Sequence, residues 1–221
     1  MKTQINQQDI VIRLEQTSDY RAVEELTREA FWNVYKPGCD EHYLAHVMRS
    51  HKDFIPALTF VAEYRGQIVA NIMYMKSWLE DDDGNRREIL SFGPISVHPD
   101  FQRIGLGKRI MAHSFDAART LGYDAVVIFG NPENYVSSGF KCSRRFHVSL
   151  NDHYYPTSLL AIELQEGALD GRHYVYCESD VFALLDDAKT EEFDRTFPPK
   201  EKAWMPSQEK FYIYCHSSVH E

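Results

Sequence analysis

The chain has 221 residues, 43% of them hydrophobic and 26% charged, enough to bury the core of one large domain or of one domain with an appendage. A formal net charge of −9 leaves no whole-chain positive field, which argues against general binding to nucleic-acid or anionic-membrane phosphates and mildly favours a cationic partner such as an amine. Cys39, Cys142, Cys177 and Cys215 are scattered without a C-x-x-C pair, so neither a zinc site nor a disulfide framework is indicated and reduced thiols are expected.

Residues 1–9 are polar and lack the apolar core of a secretion signal, and no apolar run reaches membrane-spanning length; a cytoplasmic location is expected. Residues 10–14 read as a first strand. Thr17, Ser18 and Asp19 offer N-cap oxygens to a helix whose Val23, Leu26, Ala30 and Phe31 recur at helical spacing. Asp40 opens a second helix with Leu44, Val47 and Met48 inward. Residues 58–64 form a strand, Arg65-Gly66 turns it into another over 68–75, and the acidic run 80–85 marks a further hairpin into 88–97. Gly93-Pro94 falls inside that last strand. Proline donates no ladder hydrogen bond, so a bulge or splayed edge is expected there.

A helix then runs from Gly105 to about Thr120, closed by Gly122, with Ile110, Met111, Phe115 and Ala118 on one side. Residues 124–129 are a buried-type strand, and 130–139 a short helix ending at Gly139. The strands ending at Val97 and Phe129 are joined by a helix, so they should lie parallel in a mixed α/β sheet. Beyond Phe140, residues 146–150, 159–164 and 174–176 look like strands. Residues 180–197 look helical until Pro198-Pro199 stops them, and the tail from Lys200 reads as a polar surface segment.

The chemistry concentrates at residues 95–107. The strand ends in a polar turn that delivers Gly105 and Gly107 to the start of a helix. Unpaired N–H groups and the helix dipole make such a start a cradle for phosphate oxygens. A P-loop needs Gly-Lys-Ser/Thr, and here Arg109 follows Gly107-Lys108. A dinucleotide fingerprint needs a third glycine where Ile110 stands. What remains is Gln102-x-x-Gly105-x-Gly107. A second signal follows, Tyr135-x-x-x-Gly139-Phe140, on the short helix. The plainer readings are a strand–helix turn packed closely by glycine and a tyrosine that anchors its helix.

Together, in this order and separated by a helix and a buried strand, the two motifs resemble the GNAT superfamily of N-acetyltransferases, most specifically from Phe92 to Phe140. Among these, the chain is similar to bacterial predicted N-acetyltransferases with an extended C-terminal part. The resemblance implies an α/β (α+β) fold with a mixed, mostly antiparallel twisted sheet, a splayed parallel strand pair and flanking helices. Residues 1–150 would be the acetyl-CoA-binding core and 151–221 an extension packed on the same domain. Acetyl-CoA would be the cosubstrate, with no metal. Its pyrophosphate would sit on Gln102, Arg103, Ile104, Gly105, Leu106, Gly107 and Lys108, its pantetheine arm on the backbone of Ile95, Ser96 and Val97, and Asn131 would add a contact. A primary amine of a small molecule would attack the thioester directly, and Tyr135 would protonate the departing thiolate.

Some members of the superfamily carry a general-base glutamate at the position that Ser91 holds here. A serine takes no proton unaided at neutral pH. Glu88, Glu63 and His98 are the substitutes in view, alongside a water chain. The alternative reading is a non-catalytic acyl-CoA-binding or sensing protein. Phe31, Trp32 and Tyr35 are candidate aromatics for the acceptor pocket, and the protein would be a monomer or homodimer. His42 and His46 share a helix face at metal-ligand spacing, but without an H-E-x-x-H pattern a solvated face is expected.

Overall fold

The computed structural model describes residues 5–220. Strand β1 (Ile10–Leu14) is followed by helices α1 (Tyr20–Phe31) and α2 (Glu41–Met48). Strands β2 (Phe60–Tyr64), β3 (Gln67–Asp81) and β4 (Arg86–Val97) come next, and β1 to β4 pair antiparallel in turn. Helix α3 (Leu106–Thr120) crosses to β5 (Ala125–Phe129), which lies parallel to β4. After α4 (Pro132–Tyr135) come β6 (Lys141–Cys142), β7 (Val148–Ser149), β8 (Leu159–Glu163) and β9 (Tyr174–Cys177). Helices α5 (Asp187–Asp194) and α6 (Pro206–His216) end the chain. The sheet order is β1-β2-β3-β4-β5-β8-β6, and β9 joins the far end of β3 antiparallel. This is the mixed, mostly antiparallel sheet with flanking helices expected from the sequence.

The expected irregularity at Gly93-Pro94 is a bulge. Ile72 opposes Ile95 and Tyr74 opposes Phe92, so Met73 alone faces both residues, and their peptide bond is cis. The splay is also present. β4 and β5 are in register only at Leu90 and Val126. Beyond that point residues 95–97 of β4 pair with residues 70–72 of β3 on one edge and with no strand on the other.

Alternation along the strands sorts the core onto two faces. Ile72, Tyr74, Leu90, Phe92, Val126 and Ile128 pack against Ile110, Met111, Phe115 and Ala118 of α3. The opposite face carries two separate apolar clusters. Met73 and Met75 meet α1 and α2 through Val23, Leu44 and Met48. Leu79, Ile89 and Val127 meet Val148, Leu169 and Tyr174 of the later chain.

The C-terminal part departs from expectation in three places. Of the predicted strand 146–150 only Val148 and Ser149 form a strand, with Leu150 in an isolated bridge to Tyr154, because the one-turn helix over Ser143–Phe146 runs into it. The predicted helix 180–197 is broken: the Asp186 side chain accepts the Lys189 N–H and restarts the chain as α5. The tail from Lys200 is no plain surface segment, for it holds α6, with Pro206 in its first turn. Phe211, Tyr212, Ile213 and Tyr214 are consecutive there, so no single apolar stripe marks the helix in the sequence.

Candidate active site

The turn after β4 is locally determined. His98 Nδ1 accepts the Asp100 N–H at 3.3 Å, and Gln102 Nε2 donates to the Val97 carbonyl at 3.1 Å. Arg103 (φ 63°) and Gly105 (φ 86°) are both left-handed, which aims the backbone at the start of α3. Gly105 is the N-cap and no side chain caps the helix, so its first N–H groups are available to a ligand. A Cβ on Gly105 would meet nothing within 4 Å, so backbone conformation, not packing, calls for glycine.

In front of this turn lies a cleft of about 730 Å³. Ile95, Val97, Gln102, Arg103, Gly105, Leu106, Gly107 and Lys108 form one wall, while Phe31 at the end of α1 and Val34 and Tyr35 from the α1–α2 connection form the other. Tyr135 and Asn134 close one end. Three expected cofactor residues are engaged elsewhere. Ser96 is buried and its Oγ donates to Thr27 Oγ1 at 3.1 Å, which leaves only its backbone toward the cleft side. The Ile104 carbonyl accepts from Gln7 Nε2 at 2.9 Å. Asn131 Oδ1 accepts the Glu133 N–H at 2.9 Å and so caps α4. Asn134 was not foreseen; its exposed place on α4 carries no sequence signal.

Tyr135 is held by contacts on three sides. Its ring packs against Phe92 (5.9 Å) and Phe140 (5.8 Å), and it fills the space above Gly130, where a Cβ would lie 2.4 Å from its Cε2. Burial, with the neighbouring Tyr35 adding to it, raises the Tyr135 phenol well above its ordinary range and holds it protonated. Of the expected aromatics, Phe31 and Tyr35 line the cleft, whereas Trp32 turns away and donates to the Glu201 carbonyl. Tyr35 packs at 4.2 Å, tilted, against Phe211 of α6, and burial pushes its hydroxyl up to about 12, with Glu41 and Cys215 contributing.

The suggested proton acceptors are occupied. Glu88 accepts from Lys76 (2.9 Å) and Tyr123 (2.8 Å), Glu63 accepts twice from Arg13, and His98 caps its own turn. His42 is a correction: it is buried, not on a solvated face. Its Nδ1 lies 3.4 Å from Cys39 Sγ and its Nε2 3.2 Å from Asp194 Oδ1, which also accepts from Arg28 Nε at 2.6 Å. Burial lowers His42 to about 4 and pushes the Cys39 thiol far up, so this array ties α5 to α1 and α2 and offers no thiolate. Among the described residues, metal-ligating atoms gather at His51, Asp53 and Asp180, but Lys52 and Ser179 already hold those carboxylates. No helix among the described residues is long and apolar enough to cross a membrane.

The acetyltransferase (GNAT) family model matches residues 22–140. Similar solved structures include the GNAT family N-acetyltransferase YhbS from Escherichia coli in complex with CoA (TM-score 0.69, 21% identity, 80% of this chain and 94% of that one). Another is a GNAT family acetyltransferase from Brucella melitensis in complex with acetyl-CoA (TM-score 0.61, 20% identity, 78% and 97%). Among curated proteins, the uncharacterized N-acetyltransferase YjhQ of Escherichia coli is 29% identical over 39% of this chain and 47% of its own length. The probable hydrolase YhcX of Bacillus subtilis is 23% identical over 92% of this chain and 41% of its own. The matches thus span less than half the length of these curated relatives.

Proposed function

The chain belongs to the acetyltransferase (GNAT) family, and from that premise we propose that it transfers the acetyl group of acetyl-CoA to a primary amine of a small molecule. The observation that carries this reading is one continuous cleft with the uncapped start of α3 in one wall and a protonated Tyr135 at its end. The solved relatives that bind CoA or acetyl-CoA support the choice of donor.

In this reading the pyrophosphate rests on the N–H groups of residues 103–108. The pantetheine arm runs along the open edge of β4 as an added strand, and a backbone N–H near Val97 polarises the thioester carbonyl. The amine nitrogen attacks the carbonyl carbon, the C–S bond breaks, and the sulfur takes the proton of the Tyr135 hydroxyl. The protonated amide nitrogen returns a proton to the phenolate. Residues 1–150 supply the donor core and residues 151–221 an extension that completes the acceptor side.

CoA-thiol release is measured across a panel of primary amines for wild type and Tyr135→Phe. Turnover by wild type and a fall of about 100-fold or more in kcat for the variant, with acetyl-CoA affinity kept, are expected. Stabilisation by acetyl-CoA without thiol release on any amine would instead favour a sensor.

A further inference from the structure

The end of the cleft at which Tyr135 stands is enclosed by three separate parts of the chain. Phe31, Val34 and Tyr35 form one side, and Asn134 and Tyr135 of α4 the other. Helix α6 is fastened to both. Toward the first side, Gln208 Nε2 donates to the Asn33 carbonyl at 3.1 Å and Phe211 packs on Tyr35. Toward α4, the Tyr214 hydroxyl donates to Glu133 Oε1 at 3.5 Å, and Lys210 Nζ stands 3.7 Å from the same oxygen. The helix thus braces the two sides and fixes the spacing between them.

What lines this end is aromatic and free of charge. The Phe31 and Tyr35 rings lie 5.7 Å apart, tilted by 52°, and Phe211 holds Tyr35 from behind. Neither Phe31 nor Tyr35 is fully buried, so both keep surface for a ligand. No hydrogen bond engages the Tyr35 hydroxyl among the described residues. Among the described residues that line the cleft none is acidic, and its two cations, Arg103 and Lys108, flank the start of α3 on the wall proposed for the pyrophosphate. Glu41, beside Tyr35 but outside the lining, is raised well above the usual carboxylate range by burial and by Asp40, so it carries little charge at neutral pH. Acidic side chains gather instead in a second depression of about 560 Å³, where Asp19, Glu25, Glu29 and Glu63 stand with Arg13. That depression shares no lining residue with the cleft.

These surfaces select by shape rather than by charge. A flat ring gains by packing on Phe31 and Tyr35, and a single ammonium is attracted to ring faces. A polyamine would bring further charges that no carboxylate lining the cleft meets, and each would lose water without return. We propose that the acceptor is an aralkylamine, a primary amine carried on one flat apolar ring, and that Phe31 and Tyr35 are its specificity-determining contacts. The ring packs on these two side chains, and the Tyr35 hydroxyl accepts a hydrogen bond from the amine N–H. This rests on the acetyltransferase reading above and narrows its small-molecule amine to one chemical class.

The test measures CoA-thiol release with 2-phenylethylamine, hexylamine and spermidine for wild type, Tyr35→Phe, Tyr35→Leu and Phe31→Leu, with acetyl-CoA affinity and melting temperature read for each. In wild type, kcat/KM should be about 10-fold or more higher for 2-phenylethylamine than for either other amine. Tyr35→Phe keeps the ring, so the preference should stand while kcat/KM falls about 5-fold, mainly through KM. Tyr35→Leu and Phe31→Leu should bring 2-phenylethylamine within about threefold of hexylamine at unchanged acetyl-CoA affinity. Wild type that turns over hexylamine or spermidine as well as or better than 2-phenylethylamine, or that acetylates other panel amines but not this one, would overturn the substrate class and leave the acetyltransferase reading standing. A preference untouched by both leucine variants would overturn the role given to this wall. Acetyl-CoA binding without thiol release on any amine would overturn the underlying reading, and this inference with it.

Discussion

The two sides of the cleft are built on different plans. The side proposed to hold the donor is one continuous stretch, residues 95–108, shaped by local hydrogen bonds and two left-handed residues. The facing side is an assembly: Phe31 at the end of α1, Val34 and Tyr35 from the α1–α2 connection, and Phe211 of α6 behind Tyr35. A local device of this kind holds one donor regardless of what surrounds it. An assembled wall can change its acceptor through substitutions far apart in the chain, at no cost to the donor grip.

This contrast is testable from either side. The largest effect is expected where the assembled wall is fastened. Asp194→Ala leaves buried Arg28 unpaired, which should cost about 3–5 kcal/mol by chemical denaturation. It should raise KM for the amine while acetyl-CoA affinity stays within about threefold, since roughly 0.6 kcal/mol or less should reach the donor side. The same knot is acid-sensitive. Burial places folded His42 at about 4, below the 6.5 of a free imidazole, so unfolding takes up a proton. Its contribution is complete above about pH 6.5 and is lost as pH falls toward 4; His42→Gln should flatten melting temperature against pH over that window.

Gly105→Val should do the reverse. A β-branched residue at φ 86° is strained, so acetyl-CoA Kd by calorimetry should rise about 100-fold or more with the fold retained. Equal affinity would end the claim that this turn grips the donor. Gly130→Ala should act between the two walls. The new Cβ displaces the Tyr135 ring, and kcat should drop by about 10-fold with little change in acetyl-CoA binding. Smallest is Phe211→Ala, which frees one face of Tyr35. It should cost about 1–2 kcal/mol in stability, because Phe211 is only half-buried, and should show mainly in the amine KM.

Legibility follows the same division. The glycine spacing, the bulge at Gly93-Pro94, the parallel crossover and the tyrosine on α4 all announce themselves within short windows. They were readable because each depends on neighbours in sequence. Helix α6 was not, since it carries no single apolar stripe and its place comes from packing Phe211 on Tyr35. His42 misled for a related reason. Its spacing from His46 fits a solvated face, and only the arrival of α5, with Asp194, Phe193 and Phe197, buries it.

β8 lies in the sheet between β5 and β6, and β9 covers the far end of β3. A fragment stopping at residue 150 would therefore bare the Ala125–Phe129 strand, an uninterrupted apolar run, along its whole hydrogen-bonding side. Such an edge is a template for other chains. The later segments thus cover edges that would otherwise be open, and truncation there should yield aggregates before it yields a simpler enzyme.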